Sequence, residues 1–132
     1  MKLLTILVAV IAVVSTVLAD EATEAEYRRM SRRCMSKLGT RVKDVEFLID
    51  HQMPTTRAGK CYLACLYEAC GLLKDGEFTE ETCREWTEKG GMGREMGDDL
   101  YQSCHRAVED TFDRCDLATK LYRCLRDTYL KN

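Results

Sequence analysis

Eight cysteines (Cys34, Cys61, Cys65, Cys70, Cys83, Cys104, Cys115 and Cys124) constrain this 132-residue chain more than any other feature. All lie downstream of the segment MKLLTILVAVIAVVSTVLA, in which Lys2 precedes an apolar run from Leu3 to Val14 and Val17-Leu18-Ala19 meets Asp20-Glu21. That order of charge, apolar run and small-residue junction is a secretory signal. The run is too short to span about 30 Å of hydrocarbon comfortably, and no cationic stop-transfer flank follows. Residues 1–19 are therefore expected to be cleaved, leaving residues 20–132 as one domain. An even cysteine count in a short exported chain reads as a disulfide framework. Zinc is the rival reading, but no Cys-x2-Cys pair exists and neither His51 nor His105 belongs to a ligand pair.

Charge excludes other classes. After cleavage, 19 Lys and Arg stand against 22 Asp and Glu, a net charge of −3 over 113 residues. No run of five like charges appears, so neither a nucleic-acid footprint nor an acidic tail is present. The rest is helix chemistry: Glu, Lys, Arg, Leu, Met and Ala throughout, with one proline, Pro54.

Periodicity and capping residues predict six short helices. The first runs from about Glu24 to Leu38 behind Thr23, with Tyr27, Met30, Cys34 and Leu38 on one face. Thr40 is expected to cap a second, with Val42, Val45 and Ile49 facing inward. His51 to Gly59 reads as a turn around Pro54. A third helix spans about Arg57 to Leu72, and after the Asp75-Gly76 turn a fourth runs from the Thr79 cap to Glu88. Gly90, Gly91, Gly93 and Gly97 form one flexible stretch before a fifth helix led by Asp98, bearing Leu100, Cys104, Ala107, Val108 and Phe112. A sixth begins near Asp116 and shows Leu121, Tyr122, Cys124, Leu125 and Tyr129.

Cys61 and Cys65, four apart on one helix, hold their Cβ atoms about 5–6 Å apart, farther than a disulfide tolerates. They share a face but not a bond, so the third helix becomes the hub of the cross-linking. Spacing alone leaves 105 connectivities for eight cysteines.

With Cys70 and Cys83 set aside, the other six are separated by 26, 3, 38, 10 and 8 residues. This resembles the six-cysteine signature of insect odorant-binding proteins, the pheromone/general odorant-binding family. The stretch GKCYLACLYEACGLLKDGEFTEE resembles the family's sequence around its second and third cysteines. The resemblance implies the pairs Cys34–Cys65, Cys61–Cys115 and Cys104–Cys124. Cys70 and Cys83 depart from the pattern and are expected to form a fourth bridge, with a free or intermolecular thiol as the alternative.

The resemblance further implies an all-α fold: a compact array of about six short helices around an apolar cavity, stapled by disulfides. An empty pocket of about 300 Å³ forfeits on the order of 7 kcal/mol of packing. A bridge closing some thirty residues restores roughly 3–4 kcal/mol, so two or more offset such a hollow. Candidate lining residues are the non-cysteine apolar positions Met30, Leu38, Leu66, Phe78, Trp86, Met96, Leu100, Val108, Leu121, Tyr122 and Leu125, with Met92 and Tyr129 at a mouth. Methionine suits an adaptable apolar wall, and Tyr and Trp add a polar handle.

Enzymatic alternatives fail on motif. No Gly-x-Ser-x-Gly pattern occurs, and a secreted phospholipase needs a His-Asp pair where Arg106 follows His105. Around Asp75-Gly76, Gly71 and Leu73 stand where a calcium loop needs carboxylates. His51 and His105 are read as solvated surface side chains rather than a pH switch. The reading is an extracellular, non-enzymatic carrier of small hydrophobic ligands such as odorants or pheromones, with no cofactor, no metal, no nucleic acid and no stable membrane insertion. A homodimer and an encounter with an olfactory receptor are the protein contacts it allows. The alternative keeps the fold: a salivary, haemolymph or reproductive-fluid protein that sequesters host mediators or binds a protein partner.

Overall fold

The computed structural model of the chain describes residues 21–129, with side chains from Ala25 onward. The expected signal segment, residues 1–19, lies outside the described residues. Among the described residues six α-helices follow one another: α1 (Glu21–Leu38), α2 (Val42–Val45), α3 (Arg57–Cys70), α4 (Glu80–Lys89), α5 (Arg94–Val108) and α6 (Arg114–Tyr129). A 3-10 turn, Glu46–Leu48, extends α2. Helix α3 packs against α1 and α6, α5 packs against α6, and α4 lies along α5.

Local chemistry sets most of the boundaries. The Thr56 hydroxyl accepts from the Gly59 N–H at 3.0 Å and starts α3. Gly71 ends that helix in the left-handed region, at φ 90°. Asp75 and Gly76, at φ 54° and 78°, form a tight turn of the I′ kind, which Lys74 and Glu77 close with two backbone hydrogen bonds. Thr79 caps α4 by accepting from the Thr82 N–H at 3.1 Å. The Asp113 carboxylate accepts from the Asp116 N–H at 2.9 Å, so α6 opens at Arg114, two residues before Asp116.

Other expectations are corrected. Helix α1 begins at Glu21, which places Thr23 inside it. Thr40 does not cap α2; Asp44 instead reaches back to accept from the Arg41 N–H at 3.1 Å and from the Thr56 hydroxyl at 3.0 Å. Because α2 passes into a 3-10 turn, its side-chain period changes. Leu48 is buried, while Val42 and Ile49 face solvent. Phe112 lies beyond the end of α5 and is 91 % exposed. Helix α5 starts at Arg94, so Gly97 is helical rather than part of a loose glycine tract. Its missing side chain permits a close crossing of two helices. A Cβ there would fall 2.6 Å from the Arg84 Cα and 2.7 Å from the Cys83 carbonyl oxygen.

Three disulfides brace the helices: Cys34–Cys65 joins α1 to α3, Cys61–Cys115 joins α3 to α6, and Cys104–Cys124 joins α5 to α6. These are the pairs the resemblance implies. The expected fourth bridge is absent, and Cys70 and Cys83 are free thiols. Cys70 sits beside Trp86 and Lys89, in the C-terminal half of α4. Cys83, buried near the start of that helix, neighbours Asp98 and Tyr129 instead. Burial pushes both thiols up to about 12, so neither is reactive near neutral pH.

Two measurements check this arrangement. Gly97→Ala should destabilise the fold by about 1–3 kcal/mol, because the added methyl meets backbone that cannot swing aside. A thermal midpoint lowered by several degrees is expected, and an unchanged one contradicts the close α4–α5 crossing. A thiol-specific chromogenic reagent should titrate the folded protein slowly and release two thiols per chain on denaturation without reductant. None on denaturation contradicts the assignment of Cys70 and Cys83 as free.

Candidate ligand site: the interior between helices α3 and α6

The inner face of α3 is built from two i,i+4 pairs, Tyr62 with Leu66 and Leu63 with Tyr67, all buried. Helix α6 faces it with Leu117, Ala118, Leu121, Tyr122 and Leu125. Helix α5 adds Leu100 and Val108, α4 adds Trp86, and Leu72 and Leu73 close the end after α3. These residues form one continuous apolar cluster. Phe47 stands edge-on to Tyr122, with ring centroids 5.7 Å apart.

The candidate residues divide by position. Leu66, Trp86, Leu100, Val108, Leu121, Tyr122 and Leu125 are buried in the cluster, and Met30, Phe78, Met92, Met96 and Tyr129 are half-buried against it. Leu38 stands apart, 38 % exposed on the rim of an outer cleft of about 310 Å³. That cleft also carries Arg57, Glu68, Asp113 and Arg114 on its walls, so it is a charged surface feature and not interior. The candidate set left out Tyr62, Leu63, Tyr67, Leu72, Leu73 and Leu117. The i,i+4 spacing within YLACLY was a readable signal for the first three, masked by the interleaved cysteines.

Charge stays outside this interior. Arg57 donates to Asp113 at 2.6 Å and Arg84 to Asp98 at 2.6 Å, both part-exposed pairs, and Arg114 pairs with Glu68. The Arg57 guanidinium, helped by the Asp116 N–H, holds the Asp113 carboxyl down to about 2. The buried polar side chains Asp44, Thr82 and Thr87 are engaged in local hydrogen bonds. His105 stacks on Tyr101 with centroids 4.8 Å apart, and its Nδ1 lies 3.0 Å from the Tyr101 carbonyl oxygen. The carbonyl of His51 accepts from Arg126 at 3.2 Å. Both histidines are half-buried, rather than solvated as expected.

The three inner tyrosines differ. Tyr62 shares a 2.7 Å hydrogen bond with the Ser31 hydroxyl. The hydroxyls of Tyr67 and Tyr122 are sealed from solvent and have no hydrogen-bond partner among the described residues. A buried polar group left unpaired costs about 1–3 kcal/mol. Burial holds the Tyr122 phenol up at about 12 and that of Tyr67 well above its ordinary value, so both are neutral hydroxyls. Among the described residues, this inner face thus offers a large apolar area and the two unengaged hydroxyls of Tyr67 and Tyr122.

A disulfide-braced, all-helical fold with an apolar interior defines a class of small helical proteins, and comparison with known proteins places this chain within it. The PBP/GOBP family profile matches residues 18–128, and the chain belongs to that family. It is 36 % identical to General odorant-binding protein 56a of Drosophila melanogaster over 76 residues, which are 57 % of this chain and 51 % of that protein. It is 26 % identical to General odorant-binding protein 28a of the same fly over 107 residues, 77 % of this chain and 74 % of the relative. The match thus spans about half the length of the first relative. Among solved structures, the odorant-binding protein dmelOBP28a from Drosophila melanogaster superposes with a TM-score of 0.63 at 25 % identity, covering 81 % of this chain and 92 % of that one.

Proposed function

We propose that this protein is a secreted, non-catalytic carrier that reversibly buries a small hydrophobic ligand, such as an odorant or pheromone, between α3 and α6. The reading includes removal of residues 1–19 on export. The observation that carries it is the family membership together with an inner face that is apolar from Tyr62 to Tyr67 and from Leu117 to Leu125. Transfer of apolar ligand surface from water supplies the driving force at about 25 cal/mol per Å². Tyr122 and Trp86 supply large rigid walls, and Met30, Met92 and Met96 supply adaptable ones at the edge of the cluster. The absence of charge on the described inner face favours neutral guests and broad selectivity, with dissociation constants on the order of micromolar. Three disulfides, and the lack of any described helix long and apolar enough to cross a membrane, are consistent with an exported protein.

Displacement of N-phenyl-1-naphthylamine from the purified, oxidised protein tests the proposal. Uptake of the fluorophore and competition by several neutral volatile alcohols or esters are expected. No uptake, or competition only by amines or a protein, contradicts it.

A further inference from the structure

From Tyr27 to Lys43 the chain carries seven Lys and Arg and no Asp or Glu. Uncharged residues such as Met30, Ser31 and Cys34 interrupt the series, so it never forms a run of five like charges; the helix reassembles it in space. On α1, Arg29, Arg33 and Lys37 make one i,i+4 row about 12 Å long, and Arg28 and Arg32 make the row beside it. All five are exposed. The opposite face buries Cys34, lays Tyr27 and Met30 against the core, and is tied to α3 by the Cys34–Cys65 bridge. Among the described residues, no ion pair engages Arg29, Arg32, Arg33 or Lys37.

Stability does not account for this stripe. Like charges at i,i+4 repel and weaken a helix. The favourable pull of the helix dipole on cations fades within the last turn, which holds Lys37 alone of the five. The carboxylates of α1, Glu21, Glu24 and Glu26, all precede the stripe, and the first to follow it, Asp44, is buried.

We propose that the outer face of α1 is a docking stripe for a linear sulfated polysaccharide, contacted by Arg29, Arg32, Arg33 and Lys37. The stripe is narrow and follows one helix axis, a shape that suits an extended chain of anionic groups. Four of its five cations are arginines, whose planar forks grip the paired oxygens of a tetrahedral oxyanion. No aromatic residue lies between Arg28 and Lys37 to stack a nucleic-acid base. The apolar residues in that interval, Met30, Cys34 and Met35, all pack against the core, so α1 has no apolar face left to enter a bilayer. All 22 Asp and Glu of the chain lie outside the segment Tyr27 to Lys43, so a polyanion meets repulsion elsewhere and is held in one orientation. The inference is independent of the carrier reading, because the stripe lies on the side of α1 turned away from the interior.

Titration calorimetry of the purified, oxidised protein with a heparin octasaccharide at about 50 mM salt tests the proposal. Arg29→Gln/Arg33→Gln/Lys37→Gln removes one row of the stripe. Lys74→Gln/Arg106→Gln/Arg123→Gln is the charge-matched control, taking three exposed cations from other elements. Wild type and control should bind alike, and the stripe variant should bind about tenfold or more weakly, with a shallower dependence on salt. Arg29→Lys/Arg33→Lys should fall between them, having kept the charge and lost the fork. The stripe variant should take up N-phenyl-1-naphthylamine as wild type does and melt at an equal or higher temperature, so that its loss of binding is not a loss of fold. No binding by wild type at that salt, or equal losses in the two triple variants, overturns the proposal. Tighter binding of single-stranded DNA, or of phosphatidylserine vesicles that the exposed Val42 and Ile49 beyond the stripe would engage, overturns the choice of partner.

Discussion

Helix α3 is the element on which the other contacts depend. One face carries Cys61 and Cys65, which are tied to α6 and α1; another carries Tyr62, Leu63, Leu66 and Tyr67, which form the floor of the interior. The geometry follows from the helical repeat. Residues four apart share a face, but at a distance that prevents them from bonding each other. Two cysteines at that spacing tie α3 to two different helices, while Tyr62, Leu63, Leu66 and Tyr67 turn into the apolar interior. The bridges close separations of 31, 54 and 20 residues. Constraint of the unfolded chain at those lengths is worth about 3–4 kcal/mol each, though not additively.

That reinforcement bears on what the interior can contain. In a domain of this size, hydrophobic burial barely exceeds conformational entropy, and unpaired buried hydroxyls subtract from the balance. A fold held only by packing would select phenylalanine at Tyr67 and Tyr122. A cross-braced fold tolerates such unpaired hydroxyls. The ion pairs Arg57–Asp113 and Arg84–Asp98 remain at the periphery, which leaves the inner face to neutral chemistry.

Much of this architecture was legible in the sequence wherever a local rule operates alone. Thr79 caps and Asp75-Gly76 turns, because hydroxyl acceptance and left-handed backbone are properties of single residues. The three bridges were legible through resemblance, since spacing leaves the pairing open. Tertiary contact decided the rest. Gly97 looked like a loop residue because glycine disfavours helix, yet it is helical where two backbones cross too closely for any side chain. Val42, Ile49 and Leu38 fit an apolar stripe of period 3.6 but are exposed, since α2 tightens into a 3-10 turn and α1 ends at a surface cleft. Cys70 and Cys83 looked paired through nearness in sequence, yet both are free thiols, Cys70 beside Trp86 and Cys83 near Asp98.

The account holds that cross-bracing through α3 and the ability to take up an apolar guest stand or fall together. Reduction of the native protein with a phosphine, followed in parallel by far-ultraviolet circular dichroism and by the fluorescence of a bound hydrophobic dye, tests this most directly. Cooperative unfolding and dye binding should be lost over the same range of reductant. A reduced chain that kept its helicity and bound the dye as before would contradict it.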